Sequence, residues 1–159
     1  MGSLGQEIGN LLRQKKLTLG AVESATGGLI SHLITNVSGS SDYYKGSVTA
    51  YSNEIKMKVI EVKEATLKQH GAVSPQVAEE MAAGGRKVLG VDVCLADTGI
   101  AGPTGATPGK PVGLFYIGLS HKGGTYSRKH IFSGGREQNK LSAAEAALSW
   151  LKEYLLSVK

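Results

Sequence analysis

Leu17-Thr18-Leu19-Gly20-Ala21-Val22-Glu23-Ser24-Ala25-Thr26-Gly27-Gly28, continued by Leu29 to Val37, is the stretch from which the fold can be read. Leu17 to Val22 is an apolar run of strand length that ends in small and polar residues. Leu29, Ile30, Leu33, Ile34 and Val37 then recur on one face of a helix. Strand, small-residue turn and helix together make an α/β unit. The first amides of the helix have no intrahelical acceptor and point back toward the turn, a common ligand-binding layout.

The same alternation extends in both directions. Leu4 to Lys16 carries Leu4, Ile8, Leu11 and Leu12 at helical spacing, and Ser47 to Tyr51 has strand character. Asn53 is placed to cap a helix over Glu54 to Ile60, and Glu64 to His70 forms another, closed by Gly71. Ser74-Pro75 starts a helix that runs to Leu89 and stops at Gly90. Gly84-Gly85 inside it costs about 1 kcal/mol per glycine relative to alanine, which suggests close helix packing, a dimer interface included. Val91 to Ala96 reads as a buried strand. Val112 to Leu119 and Thr125 to Phe132 read as a hairpin about Lys122-Gly123-Gly124, and Leu141 to Leu156 as the last helix. Alternating helices and strands closed by a late hairpin predict an α/β protein. The expected architecture is a single domain over 1–159, a three-layer α/β/α sandwich with a mixed, mostly parallel sheet.

Composition narrows the function. With 159 residues, 41% hydrophobic and 19% charged, the chain can bury about two thirds of its unfolded surface without metal or disulfide. Its 22 glycines fall in clusters suited to tight turns and close backbone approach to a ligand. The single cysteine, Cys94, lies in an apolar run and reads as a buried, inert thiol. No apolar run approaches the ~18 residues of a membrane span, and the N-terminus has no secretory pattern, so a reducing cytoplasm is expected and no membrane partner. The net charge of +5 comes from scattered lysines, and aromatics are 6%, too few for a row of stacking platforms. A solvated basic surface or a small anionic ligand is favoured over a polynucleotide. The four histidines share no metal-ligand spacing, and no G-x-S-x-G, S-x-x-K, H-E-x-x-H or C-x-x-C motif is present. No metal and no cofactor are expected.

Two segments at strand ends carry the chemistry. Ser24 sits where ligands bind in doubly wound sheets, and is either a nucleophile or, with Thr26, a helix cap. Thr98-Gly99-Ile100-Ala101-Gly102-Pro103-Thr104-Gly105 is either a ligand loop or a structural crossover. If both strands are parallel, the two segments share one rim. A serine nucleophile needs a base, and no histidine is placed for it. Tyr51 at a strand end and Lys56 early on the next helix offer a lysine base, provided Lys56 is desolvated rather than solvent-facing.

Residues 21–28 (AVESATGG), 39–46 (GSSDYYKG), 50–56 (AYSNEIK), 70–74 (HGAVS) and 98–113 (TGIAGPTGATPGKPVG) together resemble the CinA C-terminal domain family, to which bacterial nicotinamide mononucleotide (NMN) deamidases belong. The resemblance spans about Leu4 to Leu156. It implies an amidohydrolase that converts NMN and water to nicotinate mononucleotide and ammonia through a serine and a lysine, acting as a homodimer. The family serine falls on Ser24, its lysine on Lys56, its tyrosine on Tyr51, its threonine on Thr98 and its arginine on Arg136. Tyr51 would orient Lys56 or stack on the ring. Amides at Thr26, Gly27 and Gly28, or in the glycine loop, would hold the oxyanion, and Gly99, Gly102, Gly105 and Arg136 the phosphate. The sequence departs from the family pattern at Ala25, Asp97, Ala106 and Gly109, and reads as lacking the N-terminal domain of full-length members. The alternative reading is a catalytically silent nucleotide- or phosphate-binding homologue.

Overall fold

The computed structural model describes residues 2–159. Helix α1 (Leu4–Lys15) starts at a capping box, in which the Ser3 hydroxyl accepts from the Gln6 amide and the Gln6 side chain accepts from Ser3 N. It buries Ile8 and Leu12 and stops at Lys16, whose φ of 56° turns the chain into β1 (Leu19–Glu23). Then follow α2 (Leu29–Thr35), a single 3₁₀ turn at Ser40–Asp42, β2 (Tyr44–Thr49), α3 (Asn53–Lys58), α4 (Glu64–His70) and α5 (Pro75–Leu89). Strands β3 (Val93–Gly99), β4 (Leu114–His121) and β5 (Gly124–Ile131) precede α6 (Arg136–Ser157).

The sheet runs β2-β1-β3-β4-β5. It is mixed, as expected, with two parallel pairings (β1 with β2 and β3) balanced by two antiparallel ones at β3–β4 and β4–β5. Two apolar cores enclose it. Ala21, Leu95 and Ile117 face α1, α2 and α6 through Leu12, Ile30 and Leu151, while Val22, Cys94 and Ala96 face α5 through Val77, Met81 and Ala82. Three layers therefore bury both faces of β1 and β3, which explains why those strands read as continuous apolar runs. The parallel register sets Glu23 beside Thr49 and Val22 beside Ala96. The chain thus leaves β1, β2 and β3 at one common rim, which gathers Ser24, Tyr51 and Thr98.

Several element boundaries differ from the sequence reading. Strand β1 starts at Leu19 because Thr18 is held by Asp92, which accepts from its amide and hydroxyl. Helix α3 is capped by Ser52, whose Oγ accepts from Ile55 N, and Asn53 is already its first helical residue. Helix α6 starts five residues before Leu141, at Arg136, because its first turn is polar and carried no apolar periodicity. Gly84 and Gly85 face inward and form no free dimer surface: a Cβ at Gly84 would stand 2.1 Å from Ile60 O, and one at Gly85 2.2 Å from Val22 Cγ2. Cys94 is fully buried, and desolvation pushes its thiol up to about 12. Among the described residues no helix is long and apolar enough to cross a membrane.

Candidate active site

The rim of β1, β2 and β3 opens on a cavity of about 380 Å³. Ser24, Tyr51, Lys56 and Thr98 line it from the strand ends and α3, and Gly99 to Gly102, Thr104, Gly105 and Arg136 line it from the loop and α6.

Lys56 lies on the inner face of α3 and is 1% exposed. Its Nζ is 2.9 Å from Ser24 Oγ, and it donates to Ala50 O at 2.8 Å and Tyr51 O at 3.0 Å. A neutral lysine has two N–H donors and one lone pair. With both donors committed to carbonyls, the lone pair is directed at the Ser24 hydroxyl, which then donates to it. Burial disfavours the charged amine and brings it down to about 8 from 10.5, while the negative charge of Asp97 acts the other way. The sequence left Lys56 open between solvent and serine, and tertiary packing decides for the serine.

Ser24 does not cap α2, and neither does Thr26. The helix begins at Gly28 in the left-handed region, with φ 106°, and the Glu23 carboxylate accepts from the amides of Gly28, Ile30 and Ser31 at 3.2, 2.8 and 2.9 Å. The Ser24 amide donates to Asp97 Oδ1 at 3.0 Å, which fixes the turn that presents Oγ. Glu23 and Asp97 thus hold the turn that presents Ser24, a role that sequence reasoning missed. Asp97 had a signal, as an acid inside an apolar strand.

The expected oxyanion donors are corrected in the same way. Thr26 N donates to Asp97, Gly27 N to Ser24 O and Gly28 N to Glu23, so none of the three is free, and Thr26, Gly27 and Gly28 do not line the cavity. Among the described residues, the amide of Ala25, directly after the serine, donates to no acceptor in the chain. An amide following a nucleophile is well placed to meet an oxyanion. The amides of Ala101, Gly102, Thr104 and Gly105 likewise have no acceptor among the described residues.

The glycine loop is held open from below. Asn139 on α6, fully buried, donates to Ala101 O at 3.0 Å and accepts from Gly134 N at 2.9 Å. Arg136 donates to Gly102 O at 2.9 Å and, at 3.4 Å, to Tyr51 Oη. Tyr51 reaches Lys56 through its backbone carbonyl, while its ring is 63% exposed at the mouth. Thr98 donates its hydroxyl to Ala72 O at 2.7 Å and so braces the cavity wall. Among the described residues no group of three His, Cys, Asp or Glu side chains could hold a metal ion.

The family model described as the CinA C-terminal domain matches residues 2–155. A CinA-like protein from Salinibacter ruber is 51% identical over 141 residues, covering 89% of this chain and 34% of that protein. Among solved structures, competence damage-inducible protein A (ComA) from Klebsiella pneumoniae superposes with a TM-score of 0.95 at 30% identity, covering 98% of this chain and 97% of the other. Competence/damage inducible protein CihA from Agrobacterium tumefaciens gives a TM-score of 0.92 at 33% identity, covering 97% and 94%. The chain spans about a third of the length of the curated relatives it matches (34%, 33% and 38% for three of them).

Proposed function

The chain belongs to the CinA C-terminal domain family, and we propose that it is a nicotinamide-nucleotide amidase that hydrolyses the carboxamide of NMN to nicotinate mononucleotide and ammonia. The observation that carries this reading is the buried Lys56 Nζ, 2.9 Å from Ser24 Oγ and held by two carbonyls. Ser24 Oγ attacks the carboxamide carbon while its proton passes to Lys56 Nζ. The carbonyl oxygen takes the negative charge and turns toward the Ala25 amide. Lys56 then returns the proton to the leaving nitrogen, ammonia departs, and nicotinate is left as an ester on Ser24. Water, deprotonated by the same amine, hydrolyses the ester and restores the hydroxyl. The permanent positive charge of the pyridinium ring makes the carbonyl more electrophilic and opposes a charge on Lys56 in the complex.

The phosphate is assigned to the free amides of Gly102, Thr104 and Gly105 together with Arg136, a nest of backbone donors beside one cation. The exposed Tyr51 ring is placed to stack on the nicotinamide.

Ammonia release from NMN by the pure protein tests the reading. The wild type is expected to turn over, and Ser24→Ala to lose release by 10³-fold or more, by about the margin known for such nucleophiles, with an unchanged circular dichroism spectrum. Wild-type-like release by Ser24→Ala would refute the nucleophile. NMN binding without any release by the wild type would favour the silent-homologue reading.

A further inference from the structure

Two carboxyl groups lie beneath the Ser24 turn, and the chemistry above uses neither. Glu23 and Asp97 are both fully buried. The Thr26 hydroxyl is 2.6 Å from Glu23 Oε1 and 2.5 Å from Asp97 Oδ1. One hydroxyl carries one proton and donates fully to one of them. Were both carboxyls ionised, the Thr26 oxygen would press against the second anionic oxygen with no proton between, in a site shut off from bulk solvent. A second proton removes the conflict. Glu23 accepts from three backbone amides at the start of α2, those of Gly28, Ile30 and Ser31, and Asp97 from two, those of Ser24 and Thr26. The extra proton therefore belongs to Asp97: Asp97 Oδ1–H donates to Thr26 Oγ1, whose own proton goes to Glu23 Oε1.

We propose that Asp97 is a positioning residue for the Ser24–Lys56 pair, tying the Ser24 turn to β3 and sharing a proton with Glu23 through Thr26. Its consequence for turnover rests on the amidase reading, whereas the shared proton does not. Burial, which outweighs the opposing hydrogen bonds from Thr26 and Ser24 and is reinforced by the Glu23 charge, pushes Asp97 up to about 6. Once ionised, Asp97 raises the proton affinity of Lys56, and while neutral it does not.

The groups facing this cluster are few. Strand β1 brings Glu23, α3 brings Lys56, and β2 brings Tyr44, whose hydroxyl donates to Ser31 Oγ. On β4 the residue paired with Asp97 is the apolar Ile117. Helix α6 brings the neutral Asn139 and the Lys140 amine, which lies beside Gly27. Helix α5 packs on the other face of the sheet, and its Glu79, Glu80, Arg86 and Lys87 bond Ser127, Lys63, Asp92 O and Glu61 respectively.

The test follows carboxyl-carbon and lysine-amine NMR signals of the full chain through a pH titration, which needs no turnover. In the wild type the pair is expected to titrate in two separated steps, with one carboxyl keeping its proton well above the ordinary carboxylate range. Asp97→Asn is expected to abolish that upper step and to shift the Lys56 midpoint down by about half a pH unit or more, roughly threefold in proton affinity. The acid limb of kcat/KM for ammonia release should move down with it, and Thr26→Ser should retain both wild-type titrations. A purely structural role would lower the rate at all pH values and leave the Lys56 midpoint in place, which overturns the proposal. Two wild-type carboxyls that titrate independently in the ordinary range overturn it without any variant. Both titrations as expected, with no ammonia from NMN, would refute the amidase reading and leave the shared proton standing.

Discussion

Lys56 has lost nearly all contact with water, and its amine is held by two backbone carbonyls and the Ser24 hydroxyl, none of them a carboxylate. With its amine brought down to about 8, the base-competent fraction rises with pH through that value. The kcat/KM of ammonia release is therefore expected to climb tenfold per pH unit below about 8 and level above it, a profile read directly from initial rates. The same shift has a stability consequence of determined sign. The folded state holds its Lys56 proton less tightly than the unfolded chain, so the penalty is full below about 8 and is relieved as pH rises from about 8 toward 10.5. Lys56→Met, which keeps the length and removes the charge, is expected to lower turnover by about 10²–10⁴-fold. It should also raise the denaturation midpoint at neutral pH and flatten the stability increase between pH 8 and 10.5. Lys56→Arg should not restore activity, because a guanidinium stays protonated and cannot act as the base.

At the level of elements, α5 supports the sheet from its far face, and α6 reaches the site with its first turn. Gly84 and Gly85 bring α5 against the Ile60 carbonyl and against Val22 and Cys94. An alanine there gains about 1 kcal/mol of helix propensity, but at Gly84 the added Cβ meets backbone at 2.1 Å, where no rotamer can yield. Overpacking of about 1–3 kcal/mol outweighs the gain, so Gly84→Ala is expected to lower the urea midpoint with an unchanged m-value. Helix α6 acts through its polar first turn. Asn139→Ala would leave the Ala101 carbonyl without its buried donor, at a cost of about 1–3 kcal/mol. With the loop loosened, KM for NMN is expected to rise more than kcat falls in steady-state assays. Both helices also show what periodicity conveys. The apolar face of α6 is legible from Leu141 onward, whereas Arg136 to Lys140 extend the same helix without one, and there Arg136 and Asn139 bond the glycine loop instead.

For the whole molecule, ligand binding and folding are linked, because the cavity is assembled from β1, β2, β3, α3 and α6 and does not exist in the unfolded chain. NMN at 100 times its Kd is expected to stabilise the protein by about 2.7 kcal/mol. For a chain of this size that raises Tm by several degrees in a thermal melt, and Ser24→Ala, which retains the binding groups, should show the same rise. The sequence by itself determined the layered α/β order and the identity of both strand-end segments, because apolar periodicity and glycine or proline punctuation are local properties of a chain. It also marked Ser24 and Lys56 as candidates through their residue types and positions. What only the tertiary structure decided is which groups meet: the Lys56 amine with the Ser24 hydroxyl 32 residues away, Asp97 with the Ser24 amide, and Glu23 rather than Ser24 or Thr26 at the start of α2. The physical reason is that burial and hydrogen-bond partners are assigned when parallel strands align their ends at one rim, and neither spacing nor composition encodes that alignment.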